Sequence, residues 1–99
     1  MAEPTDSSVP VDQQRIRGEW AARGYSCGLW VDAPGAVWAN YRHGVDELLM
    51  LVQGAIELEI DGRTWRPAVG EEVHISAGTI HTVRNVGAKE SFWLYGYKS

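Results

Sequence analysis

Short, strand-like segments separated by glycine turns recur along most of this chain. The clearest is Ile56 to Ile60, where apolar residues alternate with glutamates before the hairpin signal Asp61-Gly62. Because successive side chains of a strand point to opposite faces, this alternation predicts a strand with one buried face and one wet face. Such segments at short intervals indicate an all-β fold of antiparallel strands, a sandwich or a barrel. Further strands are predicted over residues 25–31, 36–43, 47–53, 63–66, 72–76, 80–85 and 91–97.

A short helix is predicted ahead of the first strand, from Gln13 to Arg23. Asp12 suits its N-cap, and Gly24 suits its end. Ile16 and Trp20 are four residues apart and would share one face. We expect the helix to cover one edge or one open end of the β structure.

The length and composition are those of one globular domain. The 99 residues divide into a polar segment, residues 1–11, which we expect to be a flexible tail, and a domain over residues 12–99. No apolar run has the length of a membrane span and no signal-peptide pattern begins the chain, so we expect a cytoplasmic protein without a membrane partner. The net charge is −4 and the nine Lys and Arg are scattered, which argues against a nucleic-acid partner. The single cysteine, Cys27, excludes an internal disulfide and is expected to be a small buried apolar residue.

A polar cluster precedes the densest apolar run of the sequence, Leu48 to Val52. Tyr41 and His43 are two residues apart and would share a strand face. Glu47 joins that face if the strand resumes in phase after Gly44. A metal ion is the simplest partner for a phenol, an imidazole and a carboxylate on one inner surface.

The spacing of these residues resembles the first motif of the cupin family, G-x5-H-x-H-x3-E-x6-G. Gly35, His43, Glu47 and Gly54 stand at the motif positions, and Tyr41 replaces the first histidine. The resemblance implies an antiparallel jelly-roll β-barrel, here with a short N-terminal helix.

The second cupin motif, G-x5-P-x-G-x2-H-x3-N, is also present. Gly70, Gly78, His81 and Asn85 match it, and Ser76 replaces the proline. The resemblance implies that His43, Glu47 and His81 are metal ligands. This donor set suits Fe(II), and also Mn, Ni, Co or Zn.

The substitution of Tyr41 leaves two questions about the site. Tyr41 is expected to lie beside the metal as a hydrogen-bonding or proton-donating catalytic residue, and the alternative is a weak phenolate ligand. In a second alternative the metal has been lost, and the three predicted ligands bond one another in a polar pocket.

Other polar and aromatic residues receive plainer interpretations. Asp46 is expected at the surface or in a turn, His74 is expected in a structural or surface role, and Asn85 is expected to bond the backbone of a turn. Trp38, Met50 and Trp93 are candidates for the wall of a ligand pocket.

The resemblance favours two functions almost equally. One is a metal-dependent enzyme of the oxygenase or isomerase type that acts on a small molecule, and the other is a non-catalytic small-ligand-binding or regulatory module. A storage or structural cupin is a third possibility. A homodimer is also expected, because the aromatic terminal strand around Phe92 to Tyr95 and the face with Ile16 and Trp20 suit pairing. The alternative is a helix that folds back over this strand within one chain.

Overall fold

The computed structural model describes residues 10–99. It contains one helix and eight strands in that range: α1 (Gln13–Ala22), β1 (Gly28–Asp32), β2 (Val37–Tyr41), β3 (Glu47–Gln53), β4 (Ile56–Ile60), β5 (Arg63–Trp65), β6 (Glu72–Ile75), β7 (His81–Asn85) and β8 (Ser91–Tyr97). The all-β prediction with a short N-terminal helix is confirmed. Most of the predicted flexible tail lies outside the described residues.

The strands form two four-stranded antiparallel sheets. The first has the order β1-β8-β3-β6, and the second has the order β2-β7-β4-β5. This is the jelly-roll arrangement that the motifs predicted. Between residues 10 and 99 no strand of one sheet pairs with a strand of the other, so the sheets form an open sandwich rather than a closed barrel.

Strand β3 is buried on both faces, as its continuous apolar run predicted. Leu49 and Leu51 point into the space between the sheets and pack against Trp93 and residues of the second sheet. Leu48 and Met50 point the other way, where they pack with Ile16 and Trp20 of the helix. The alternation of side chains along one strand therefore serves two separate apolar clusters.

Helix α1 lies on the outer face of the first sheet. The Asp12 side chain accepts a hydrogen bond from the Arg15 backbone N–H at 3.0 Å, as a helix N-cap does. Trp20 is completely buried, and a Cβ atom on Gly96 of β8 would lie 2.9 Å from its ring. The expectation that the helix covers an edge or an open end was wrong, because the outward apolar side chains of β3 and β8 attract it to the face of the sheet.

Several predicted strand boundaries shift, and β2 ends at Tyr41 instead of His43, so His43 does not share a strand face with Tyr41 as predicted. The first strand begins at Gly28 instead of Tyr25, because the Tyr25 backbone N–H is bonded to the Trp20 carbonyl and Tyr25 makes only an isolated bridge with Lys98. Strand β7 begins at His81, one residue after the predicted start at Ile80.

Candidate metal centre

The three predicted metal ligands meet at one end of the space between the sheets. Glu47 begins β3 in the first sheet, His81 begins β7 in the second sheet, and His43 lies in the loop between β2 and β3. One ligand atom from each residue lies within 4.8 Å of the other two. The prediction that these side chains converge is confirmed.

Backbone contacts around the Gly78 turn hold the two motifs together. The Gly78 N–H donates to the His43 carbonyl at 2.8 Å, and Gly78 has a φ of +81° that favours glycine. Asp46 accepts from the Ala77 N–H at 2.8 Å and lies 3.1 Å from Nε2 of His74. These contacts lower the pKa of Asp46, chiefly through the Ala77 bond. Both Asp46 and His74 are at the surface, as predicted, and the bond from Ala77 to Asp46 holds the loop that carries His43.

The Glu47 carboxylate is the centre of the cluster. Its Oε1 atom lies 3.3 Å from Nε2 of His43 and 3.4 Å from Nε2 of His81. Glu47 is only 3% exposed, and Oε1 has no hydrogen-bond partner among the described residues. A buried carboxylate oxygen without a partner is costly. Its position between two imidazole nitrogens therefore favours a cation there.

The orientation of His81 supports the same conclusion. Its Nδ1 atom lies 3.2 Å from the Thr79 carbonyl, which can only accept, so Nδ1 carries a proton. When the ring is neutral, Nε2 therefore has its lone pair facing Glu47, which is the tautomer that binds a metal. The nearby Glu47 carboxylate raises the pKa of His81 against the opposing effect of burial.

The two spacings that involve Glu47 also fit a metal ion. Ligand atoms about 2.1 Å from a shared metal lie about 3.0–3.4 Å from one another. The two distances from Glu47 Oε1, 3.3 and 3.4 Å, fall at the upper end of that range. Two imidazoles and one carboxylate are also the donor set of metal sites that keep open positions.

A cavity of about 360 Å³ opens beside the three side chains. Apart from Val83, the rest of its lining is aromatic: Trp30, Trp38, Tyr41, Trp93, Tyr95 and Tyr97. Trp38 and Trp93 were predicted in this wall. Met50 was predicted there wrongly, because it is out of phase with Glu47 on β3 and packs under the helix.

Tyr41 lies at the mouth of the cavity next to His43. The two rings are stacked at 18° with centroids 6.3 Å apart, and Tyr41 is 43% exposed. Asn40, with a φ of +58°, interrupts the pairing of β2 with β7 just before it. This irregularity turns the Tyr41 side chain toward the cavity.

Tyr97 was missed by the sequence analysis. Its ring meets that of His43 edge-on at 4.9 Å, and burial together with the Glu47 charge raises its pKa. The alternation Trp93, Tyr95, Tyr97 on one face of β8 was the available signal.

Asp32 ends β1 and is buried behind the cavity wall. Its Oδ1 atom accepts from the indole N–H groups of Trp30 at 2.6 Å and Trp38 at 2.7 Å, and its Oδ2 accepts from that of Trp93 at 3.0 Å. No local pattern signals this role, because Trp93 is distant in the sequence.

Two further expectations concern single side chains. Asn85 bonds the backbone as predicted: its Nδ2 donates to the carbonyls of Asp32, Ala33 and Lys89 at 3.0–3.1 Å. Cys27 is half-buried and packs at the margin of the helix cluster. Burial raises the pKa of its thiol, which agrees with a packing role.

Comparison with known proteins identifies the fold. A sequence model of the cupin domain matches residues 28–97. No curated protein gives a significant match. The described part of the chain has no helix with the length and hydropathy required to cross a bilayer.

Three solved structures illustrate the similarity. A Photorhabdus luminescens protein superposes with a TM-score of 0.70 at 16% identity, and the match covers 77% of this chain and 63% of the Photorhabdus protein. An oxalate oxidase bound to glycolate superposes with a TM-score of 0.67 at 23% identity, and the match covers 78% of this chain and 43% of the oxalate oxidase. The cupin domain of an XRE family transcriptional regulator from Enterobacter cloacae superposes with a TM-score of 0.66 at 20% identity. The match covers 81% of this chain and 87% of the regulator domain. The chain thus spans less than two thirds of the first two proteins.

Proposed function

Because the chain belongs to the cupin family, we propose that it binds a divalent transition metal through His43, Glu47 and His81 and acts on a small organic molecule in the adjacent cavity. One observation carries the proposal. Glu47 Oε1 is buried without a hydrogen bond while two imidazole nitrogens face it at 3.3 and 3.4 Å.

The proposed metal is Fe, Mn, Ni, Co or Zn, bound by three protein side chains. Such an ion would supply a Lewis acid with open positions for substrate oxygen atoms or dioxygen. Residues of the chain itself would bind and orient the substrate. Tyr41, at the cavity mouth, is placed to donate a proton or hydrogen bond to the substrate. Tyr97 is a second hydrogen-bond donor, because a phenol is protonated at neutral pH and burial raises its pKa further.

We propose an oxygenase or isomerase type of reaction. The aromatic cavity favours this, because apolar ring surface that excludes water around a bound substrate strengthens its electrostatic interactions with a metal. The structural similarity to oxalate oxidase supports the fold of such an enzyme, and the substrate of this chain is a separate question.

The second candidate is a non-catalytic ligand-binding or regulatory module. It is supported by the structural similarity to the Enterobacter cloacae regulator domain, because the match covers most of that domain. In that case the same cavity would bind a small molecule without converting it.

Metal titration followed by turnover assays tests the proposal. Chelator-treated protein is titrated with Co(II) and Mn(II), and we expect saturation near one equivalent per chain with a rise in melting temperature. Absence of saturable binding would contradict the metal site. The metal-loaded protein is then incubated with oxalate, glycolate and related small acids and followed by an oxygen electrode and by NMR. Turnover assigns an enzyme, and binding without turnover assigns the module.

A further inference from the structure

The aromatic wall of the cavity is built around a single buried carboxylate. Asp32 is 2% exposed and accepts three indole N–H bonds, at 2.6, 2.7 and 3.0 Å. Asp32, Trp30 and Trp93 belong to the first sheet and Trp38 belongs to the second, so the bond from Trp38 joins the two sheets. Asp32 fixes the rings from behind the wall and does not itself line the cavity.

This arrangement leaves a negative charge without a cationic partner. Among residues 10–99, no lysine or arginine forms an ion pair with Asp32, and none lines the cavity. Buried charges in proteins are usually paired. The short indole bonds share the charge with the three rings, and the electron-rich faces of these rings become more attractive to a cation.

The same bonds decide which ligand groups the wall can accept. All three indole N–H donors are used by Asp32, so the wall offers an anion neither a free indole donor nor a positive charge. A hydrogen-bonding anionic group therefore belongs at the metal end, near His43 and His81. The wall itself presents aromatic ring surface to a bound ligand.

The rings stand at steep angles to one another, as the sides of a cage do. Trp30 lies at 80° to Trp38 with centroids 5.4 Å apart, and at 80° to Tyr95 with centroids 6.2 Å apart. Trp93 and Tyr95 meet at 66° with centroids 6.1 Å apart. Approximately perpendicular aromatic rings are the geometry that recognises methylated cations, which are bulky and weakly hydrated.

We propose that the wall formed by Trp30, Trp38, Trp93 and Tyr95 binds a methylated onium group, a quaternary ammonium or a sulfonium, of the small-molecule ligand. The onium group lies against the rings while the other end of the ligand faces His43, Glu47 and His81. The assignment of the onium group depends on the wall alone. Its place in a metal-dependent reaction rests on the proposed function.

A matched pair of probes tests the charge directly. Choline and 3,3-dimethyl-1-butanol have the same shape and differ by one positive charge, since a quaternary nitrogen replaces a quaternary carbon. Their affinities for the wild-type protein are measured by calorimetry, with the metal removed and with Mn(II) added. We expect choline to bind roughly tenfold more tightly in both states, because cation–π attraction outweighs the greater hydrophobicity of the alcohol. Equal affinities, tighter binding of the alcohol or no choline binding at millimolar concentration would overturn the proposal.

Three variants locate the effect. Trp30→Leu should reduce the preference for choline to about threefold or less, whereas Trp65→Leu, outside the cavity, should leave it unchanged. Asp32→Asn should also reduce the preference while leaving the affinity of the alcohol within about twofold. A full preference retained in Trp30→Leu would contradict the assignment even if Asp32→Asn fails to fold. If choline is preferred but no metal binds, the proposal for the wall is supported and the metal proposal fails. If a metal binds but choline is not preferred, the metal proposal is supported and the proposal for the wall fails.

Discussion

Oε1 of Glu47 lies 3.4 Å from Nε2 of His81, with both side chains almost completely buried and no hydrogen bond between them. The two residues come from different sheets, so their proximity depends on the whole sandwich. A carboxylate and an imidazole in this relation favour a positive charge between them. The account of this protein as a metal-binding cupin depends on that relationship.

The role of Tyr41 can be separated from that of a ligand by two substitutions. Tyr41→His restores the histidine of the cupin motif and should tighten metal binding by roughly tenfold, about 1.4 kcal/mol. Tyr41→Phe should change the metal affinity by less than about threefold, because removal of a hydroxyl that does not bind the metal costs it little. Titration with Co(II) measures both. A large loss of affinity in Tyr41→Phe would show instead that the phenolate is a ligand.

The helix should contribute strongly to stability through Trp20. This residue is completely buried against Leu48, Met50 and Leu94. Trp20→Ala should lower the free energy of unfolding by about 3–5 kcal/mol. Glu19→Ala, one residue earlier and exposed, should change it by less than about 0.5 kcal/mol. Chemical denaturation of both variants checks this, and equal small effects would mean that the helix is dispensable.

Docking of the helix should also depend on pH through Glu72. Its carboxylate accepts two bonds from Arg23, at 2.8 and 2.9 Å, and one from the Trp20 indole at 3.1 Å. The Arg23 bonds are the main reason that its pKa is lowered from 4.5. A carboxyl whose pKa is lower in the folded state stabilises the fold above its unfolded pKa, and this contribution is lost as the pH falls through the folded value.

The matching variant is Glu72→Gln. It should be less stable than the wild type at pH 7 by up to about 1 kcal/mol, a small value because the side chain is one-third exposed. The difference should shrink as the pH falls below 4.5. Denaturation curves at several pH values measure it, and a difference independent of pH would contradict the ion pair as its cause.

The predicted homodimer needs a different surface from the one first expected. Ile16 and Trp20 are buried within the chain, and β8 is paired on both sides by β1 and β3. Strand β1 is an edge strand, and it exposes Leu29 and Val31 at 42% and 46%. Apolar residues on an edge strand suit pairing with a second copy.

Sedimentation tests this surface. At micromolar concentration we expect a mass of twice 11.0 kDa. Leu29→Glu should weaken association by about tenfold or more. Val86→Glu, an exposed apolar position in the loop after β7, is the control and should associate as the wild type does. A monomeric mass for the wild-type protein would contradict the predicted homodimer.

The two motifs made the fold and the metal ligands predictable from sequence because their residues lie at fixed spacings along strands. Glu47 and His81 begin strands, and Gly78 marks the turn before His81, but His43 lies in the loop after β2 and not on the strand face that the alternation predicted. Met50 was misplaced although the same alternation, counted from Glu47, directs it outward.

Asp32 illustrates what local patterns do not contain. A lone aspartate before Ala33 and Pro34 has the chemistry of a turn, and its real environment comes from three tryptophans on three strands. The position of the helix was likewise decided by the outward side chains of distant strands. Each feature depends on at least one partner that is far away in the sequence, Trp93 for Asp32 and strands β3 and β8 for the helix.

Metal content of four matched proteins tests the central claim most directly. Wild type, Glu47→Gln, His81→Ala and His74→Ala are purified without chelator or affinity metal, reconstituted with one metal and analysed by mass spectrometry of the elements. We predict about one ion per chain in the wild type and in His74→Ala, whose imidazole lies outside the site, and less than about a tenth of that in the other two, because each loses one of three ligands. Full occupancy in Glu47→Gln and His81→Ala, or none in the wild type, would contradict the account.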